Sequence, residues 1–230
     1  KYILIQYMKI IQGNCFDEIK NLPKNSVNLV FTSPPYANMK KYDGFDGIEP
    51  DKYVEWLFPL IKDIFEVLTE DGSFILNIND KVVNGFRHPY VFDLISKVHK
   101  ETDFKLFERL FWNKGKYLPN RARFGDKIEY VFWFVKNKNF TFNLDEMRVE
   151  YNPISIKRMK KPIKKRFVRK EGDENTDYKD WNPNPKGALP SVLVDIGSES
   201  KKVSDNHIAV FPEKLGSLGL VFCKVSNIAS

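Results

Sequence analysis

The chain has 230 residues, 42% of them hydrophobic, and its 37 Lys and Arg against 30 Asp and Glu leave a net charge of +7. That length holds one substantial core, or one domain with an insertion, and the basic balance permits a polyanionic partner. Two cysteines, Cys15 and Cys223, form neither a disulfide framework nor a metal-ligand pattern, three scattered histidines give no zinc spacing, and no apolar run is long enough to span a membrane.

In chain order, Lys1 to Tyr7 is short and apolar without a secretory cleavage pattern, and Met8 is the expected natural start. With its cysteines unpaired, the expected setting is a reducing cytoplasm. Lys9-Ile10-Ile11-Gln12 reads as a short strand punctuated by Gly13. Phe16, Ile19 and Leu22 recur at helical spacing, and Pro23 ends that helix. Asn25-Ser26 is a turn, and Val27 to Phe31 is a buried strand.

The strand runs into Thr32-Ser33-Pro34-Pro35-Tyr36. Two prolines lack the N–H that a sheet needs, and the first biases Ser33 toward extended geometry, so the strand must stop in a stiff turn. Such a turn lies where open α/β sheets bind ligands. It presents a hydroxyl, the Ser33 and Pro34 carbonyls and the ring of Tyr36, which together suit a planar molecule bearing an amino group.

Ala37 to Pro50 reads as a loop, either a plain connector or a lid carrying Tyr42 or Phe45. The apolar face Val54, Leu57, Ile61, Ile64, Phe65 and Leu68 predicts a helix over 51–68, capped by Asp51. Asp71-Gly72 reads as a turn, Ser73 to Ile78 as a strand, Asn79 to Arg87 as a polar loop, and Pro89 opens a helix to about Val98. Phe104 to Trp112 and Ile128 to Val135 read as two late strands. Strand–helix alternation followed by two strands predicts an α/β, Rossmann-like sheet with an antiparallel end.

From Asn137 the chain turns polar, and Tyr151 to Lys170 holds nine Lys or Arg and no acid. Such a block is either a solvated surface or a phosphate-binding arm that gives affinity rather than sequence choice. Asp173 to Asn184, with Trp181, is too poor in apolar residues for a core and is expected to fold only on a nucleic-acid partner, DNA.

Ser33-Pro34-Pro35-Tyr36 resembles the catalytic motif of the amino-group DNA methyltransferases, (Asp/Asn/Ser)-Pro-Pro-(Tyr/Phe/Trp), whose Ser form usually accompanies methylation of the cytosine amine and whose Asp form accompanies adenine. The layout from Gly13-Asn14 through Leu22-Pro23 to Tyr36, the segments Phe111-Trp112-Asn113-Lys114 and Glu129 to Phe134, and His207 to Leu215 are similar to the same family. This order is that of its β group. The resemblance implies S-adenosyl-L-methionine as cofactor, double-stranded DNA as substrate, a flipped target base, and no metal.

Carried over residue by residue, the resemblance makes Ser33, Pro34, Pro35 and Tyr36 catalytic, and gives Asn14, Cys15, Ser33, Pro34, Phe211 and Pro212 to the cofactor. Lys114, Lys116, Arg121, Arg123, Lys157, Arg158, Lys160, Lys161, Lys164 and Lys165 are the implied DNA contacts. The implied layout is a catalytic part over 8–136, a target-recognition region over 137–203, and an end segment over 204–230. Two departures stand out: Asn14 replaces an Asp, and Asp-Pro-Phe-x-Gly-Ser-Gly is missing after Leu215.

Leu218 to Val225 is instead expected as one apolar strand. A frameshift, a truncation or a second chain supplying the cofactor half would each account for the missing motif. The isolated chain is then expected to bind S-adenosylmethionine weakly or not at all and to transfer no methyl group by itself; the alternative reading is an inactive DNA-binding fragment. The strand Val27 to Phe31 is expected to show an unpaired edge in mid-sheet.

Overall fold

A computed structural model describes residues 9–38, 46–115, 122–159, 183–197 and 212–222. Helix α1 (Cys15–Glu18) continues as one 3-10 turn, Ile19–Asn21, and leads to strand β1 (Val27–Thr32). Helix α2 (Pro50–Val67) carries the chain to β2 (Leu68–Ile78), which pairs parallel to β1. A parallel pair needs such a crossover, because a hairpin joins only antiparallel neighbours. A hairpin of β3 (Val82–Val83) and β4 (Phe86–Arg87) then precedes α3 (Tyr90–Glu101). Strands β5 (Lys105–Asn113) and β6 (Ile128–Val135) are antiparallel, and β6 is antiparallel to β2 as well. With β7 (Leu193–Asp195) parallel to β5, the sheet order is β1-β2-β6-β5-β7.

Side-chain alternation divides the sheet into two covered faces. Phe74, Leu76 and Ile78 of β2 and Phe132 and Phe134 of β6 share a core with Tyr53, Leu57, Ile61 and Ile64 of α2 and Tyr90, Val91, Leu94 and Val98 of α3. Phe74 and Phe134 stack at 5.7 Å between centroids, and Phe104 lies 5.7 Å from each. A buried side chain of this size contributes about 1.5–3 kcal/mol over its exposed state. On the other face, helix α5 (Glu213–Phe222) lies against β1 and β2. Gly219 makes that approach possible: a Cβ there would stand 3.0 Å from the Phe31 ring and 3.5 Å from Leu29 and Ile75. Strands covered on both sides read as continuous apolar runs, which is how β6 reads.

Several expectations change. Lys9 to Gln12 forms no strand, and Ile10 and Ile11 stand 78% and 46% exposed. An apolar pair becomes a strand only beside a ladder, and among the described residues none receives it. Asp71-Gly72 lies inside β2 rather than between two elements, because Leu68 already pairs with Val27 and the ladder resumes at Ser73 with Leu29. The residues between bulge outward. Gly72 admits the Asn28 carbonyl, which would stand 3.0 Å from an added Cβ.

The segment expected as a strand over 218–225 is helical through Phe222. A short continuous apolar run fits a buried strand and a helix segment equally well by periodicity alone. Strand β1 ends the sheet order, so among the described strands its outer edge is unpaired as expected, with α5 on its face. The polar loop over 79–87 contains a hairpin turned by Asn84 (φ 48°) and Gly85 (φ 84°), the positive-φ pair of a two-residue turn.

Asn143–Ser191 forms a second compact unit. It contains a 3-10 turn at Leu144–Met147, helix α4 (Pro153–Met159) and a Val149–Ala188 bridge. Asp145 holds Arg148 at 2.9 Å and Lys186 at 2.7 Å.

Candidate active site

The site is built where β1 ends. Backbone pairing stops at Thr32, and Ser33-Pro34-Pro35-Tyr36 follows without secondary structure. Pro34 is buried, while Ser33, Pro35 and Tyr36 are half-buried. The Tyr53 hydroxyl, from the core face of α2, donates to the Pro35 carbonyl at 2.9 Å and fixes the turn against the helix. The Ser33 Oγ and Tyr36 hydroxyl lie 3.2 Å apart.

Tyr36 reaches across the sheet to two residues that sequence reasoning missed. Its hydroxyl is 2.6 Å from Glu129 Oε2 at the start of β6, and 3.1 Å from Asn77 Oδ1 near the end of β2. Asn77 donates its amide to the Tyr130 carbonyl at 3.1 Å and to Glu129 Oε2 at 3.3 Å. Lys114, just past β5, donates to Glu129 Oε1 at 3.1 Å. Burial, and then the Glu129 carboxylate, push the Tyr36 phenol well above the ordinary tyrosine range. The signal available in the sequence was an Asn inside the apolar run Phe74 to Ile78, where burial is expected, and a Glu opening an aromatic strand. Buried polar groups need partners, so each implied a network.

A second polar group flanks the first. Asp80, buried at the exit of β2, pairs with Arg87, which the β3–β4 hairpin brings back to it and which also holds Asp126 at 3.2 Å. The Tyr90 hydroxyl donates to the Asn79 carbonyl.

The other candidates are dispersed. Asn14 caps α1, its side-chain oxygen accepting from the Phe16 N–H at 3.1 Å, and Cys15 is the exposed first residue of that helix. Pro212 is buried at the head of α5 and its carbonyl accepts from the Leu215 N–H at 2.9 Å. Lys114 is engaged with Glu129, while Arg123 is exposed, as are Lys157 and Arg158 on α4 in the second unit. Phe211, Lys116, Arg121, Lys160, Lys161, Lys164 and Lys165, the lid residues Tyr42 and Phe45, Trp181 and Met8 lie outside the described residues. Among the described residues no cluster of three His, Cys, Asp or Glu could hold a metal, and no helix is long and apolar enough to cross a membrane.

Chemically, the turn offers acceptors on a rigid frame. Ser33 Oγ and the Pro34 carbonyl can accept from a donor such as an amine, and the neighbouring carboxylate, Glu129, is already met by a phenol, an amide and an ammonium. The arrangement is suited to positioning rather than to strong general base chemistry.

A family model described as a DNA methylase, N6_N4_Mtase, matches residues 27–217. The chain is similar to the type II methyltransferase M.PvuII of Proteus hauseri, at 26% identity over 227 residues, covering 88% of this chain and 66% of that protein. It is similar to M1.MboII of Moraxella bovis at 29% identity over 206 residues, covering 88% and 71%. Similarity to the DNA adenine methyltransferase YhdJ of Escherichia coli (strain K12) is 30% over 145 residues, covering 61% and 46%. The chain thus spans about half to seven tenths of these curated relatives, and less than two thirds of M.PvuII and YhdJ. Among solved structures, the PvuII DNA methyltransferase (cytosine-N4-specific) aligns with a TM-score of 0.64 at 21% identity, covering 91% of this chain and 68% of that one. That likeness gives the fold, a Rossmann-like methyltransferase sheet.

Proposed function

The chain belongs to the DNA methylase family described by N6_N4_Mtase, and on that premise we propose that it moves a methyl group from S-adenosyl-L-methionine to the exocyclic amine of cytosine in double-stranded DNA, as the modification half of a restriction-modification pair. The observation that carries this reading is Ser33-Pro34-Pro35-Tyr36 at the end of β1, locked by Tyr53. The Ser form of the motif supports cytosine, as does the cytosine-N4 enzyme among the structural neighbours. Similarity to an adenine methyltransferase favours adenine as the second reading.

An aromatic amine is a poor nucleophile because its lone pair is delocalised into the ring. Acceptors that take both of its hydrogens hold the nitrogen closer to tetrahedral and aim the lone pair outward. Ser33 Oγ and the Pro34 carbonyl are the two acceptors, and the burial of Pro34 strengthens that interaction by excluding water. A target base must leave the duplex to reach them, and the ring of Tyr36 is the surface for it to stack on.

When bound, S-adenosylmethionine supplies an electrophilic methyl group. The donor set fits such a group in part. Ser33 and Pro34 supply backbone carbonyls beside β1, whereas the Pro212 carbonyl is taken by the first turn of α5 and Asn14 uses its side-chain oxygen on its own helix, so its amide nitrogen is what would meet a ligand.

Mass spectrometry of DNA digested after incubation with the protein and cofactor tests the reading. Cytosine methylated on its amine is the expected product; methyladenine alone transfers the assignment to the second reading, and no methylated base from protein shown to bind the cofactor overturns both.

A further inference from the structure

The Ser33 hydroxyl can face an incoming amine in two ways, and only one of them helps. If its hydrogen points at the substrate, two donors meet. If its hydrogen points away, its oxygen accepts. The hydrogen's direction is set by the hydrogen bond with the Tyr36 hydroxyl, 3.2 Å away, in which either hydroxyl can be the donor.

Tyr36 has one proton and three oxygens within reach. Asn77 Oδ1 lies at 3.1 Å, Ser33 Oγ at 3.2 Å and Glu129 Oε2 at 2.6 Å. A phenol-to-carboxylate bond of about 2.5–2.7 Å is the charge-assisted kind, roughly twice as strong as a neutral one. The proton therefore goes to Glu129, and Ser33 donates to the phenol oxygen. The other groups that meet Glu129 reinforce this. Asn77 donates to the same Oε2 at 3.3 Å, and Lys114 donates to Oε1 at 3.1 Å, so Tyr36, Asn77 and Lys114 all act as donors to it. Lys114 also fixes the carboxylate's orientation, with both partners largely buried at 23% and 12% exposure.

We infer that Glu129, braced by Lys114, is a positioning residue: it takes the Tyr36 proton, turns the Ser33 hydroxyl hydrogen inward, and leaves the Ser33 oxygen lone pairs facing the substrate amine. The inference rests on the proposed function for the identity of that amine, but the direction of the hydroxyl chain stands on the geometry alone. Glu129→Gln is the informative change, because its amide can donate to the phenol oxygen, competing with Ser33 for that acceptor and freeing the Tyr36 proton for Asn77 Oδ1 or Ser33 Oγ, and either outcome releases the Ser33 hydrogen to turn toward the substrate.

The full chain, with Glu129→Gln, Tyr36→Phe and the double variant, supplies the test. Glu129→Gln is expected to lower kcat about 10- to 100-fold with little change in KM for DNA. In the Tyr36→Phe background, where no phenol connects the two residues, Glu129→Gln is expected to add nothing. Equal losses in both backgrounds, or a loss explained by a lower melting temperature, would overturn the inference. Should protein shown to bind the cofactor methylate no base, the proposed function fails separately. The coupling of the Tyr36 phenol to Glu129, on which the chain depends, is then read by NMR titration of ring-labelled tyrosine, with the Tyr36 signal assigned by its loss in Tyr36→Phe. Glu129→Gln is expected to move the Tyr36 titration to lower pH, and an unmoved titration overturns the inference.

Discussion

A phenol enclosed beside a carboxylate resists ionisation, and Tyr36 does so within the turn that defines the site. Burial is the larger cause and Glu129 the next, and both raise its pKa above the usual 10.0. The folded state therefore holds this proton more tightly than the unfolded chain. Its contribution to stability is complete below about pH 10 and is lost as pH rises toward the folded value. Tyr90 and Tyr130 are shifted the same way, each chiefly by burial, and add to that alkaline loss. Tyr36→Phe is accordingly expected to shallow the decline of stability above pH 10 without removing it, which urea denaturation across pH 8 to 11 measures. Ser33 to Tyr36 could be read directly from the sequence because the motif is contiguous. Asn77 and Glu129 could not, since they lie 41 and 93 residues beyond Tyr36 and meet it only through the order of the strands.

Where elements follow their own periodicity, they stand where sequence reasoning puts them. Helix α2 starts one residue earlier than expected, with Pro50 supplying the fixed φ of a first helical position, and β6 has the expected bounds. The misplaced segments are those decided by a distant neighbour. Helix α5 is defined by the bare surface of Gly219 on Phe31, and the excursion in β2 by the register with β1. One local feature runs against its element. Pro59 stands inside α2, exposed, where it removes a backbone donor and crowds the carbonyl of Glu55 one turn back. An interior proline costs up to about 3 kcal/mol, partly offset by the freedom it removes from the unfolded chain. Pro59→Ala is expected to raise stability by about 1–2 kcal/mol. A denaturation midpoint at or below that of the unaltered protein would show that α2 has relaxed around the ring.

At the scale of the molecule, the net charge of +7 is unevenly distributed, with nine basic residues and no acid between Tyr151 and Lys170. Lys157 and Arg158 are exposed on α4, and Lys160 and Lys161 follow outside the described residues. If the block neutralises phosphates, as the proposed function requires of some basic surface, replacing these four by Ala is expected to weaken binding to all DNA sequences alike. The slope of log K against log salt should fall in magnitude by roughly 0.9 for each phosphate that is no longer neutralised. An unchanged slope in a fluorescence-anisotropy titration would make the block solvated surface only. The overall class, a Rossmann-like sheet with an antiparallel end, was legible because alternation of strands and helices is written locally. The ends of the sheet were not, because β7 and α5 join it from far along the chain.

Those late arrivals have a consequence for how the protein is made. The centre of the sheet, β2-β6-β5, is complete once Val135 has left the ribosome, together with β1 and both core helices. Its two flanks are not. Strand β5 waits for β7, synthesised some eighty residues later, and the apolar face of β1 at Leu29 and Phe31 waits for α5, the last described helix. During that interval the nascent sheet offers an open ladder at one end and bare apolar side chains at the other, the two features by which partly made proteins stick to one another. Elongation between Val135 and Phe222 is thus the window in which a chaperone would most improve the yield of folded protein.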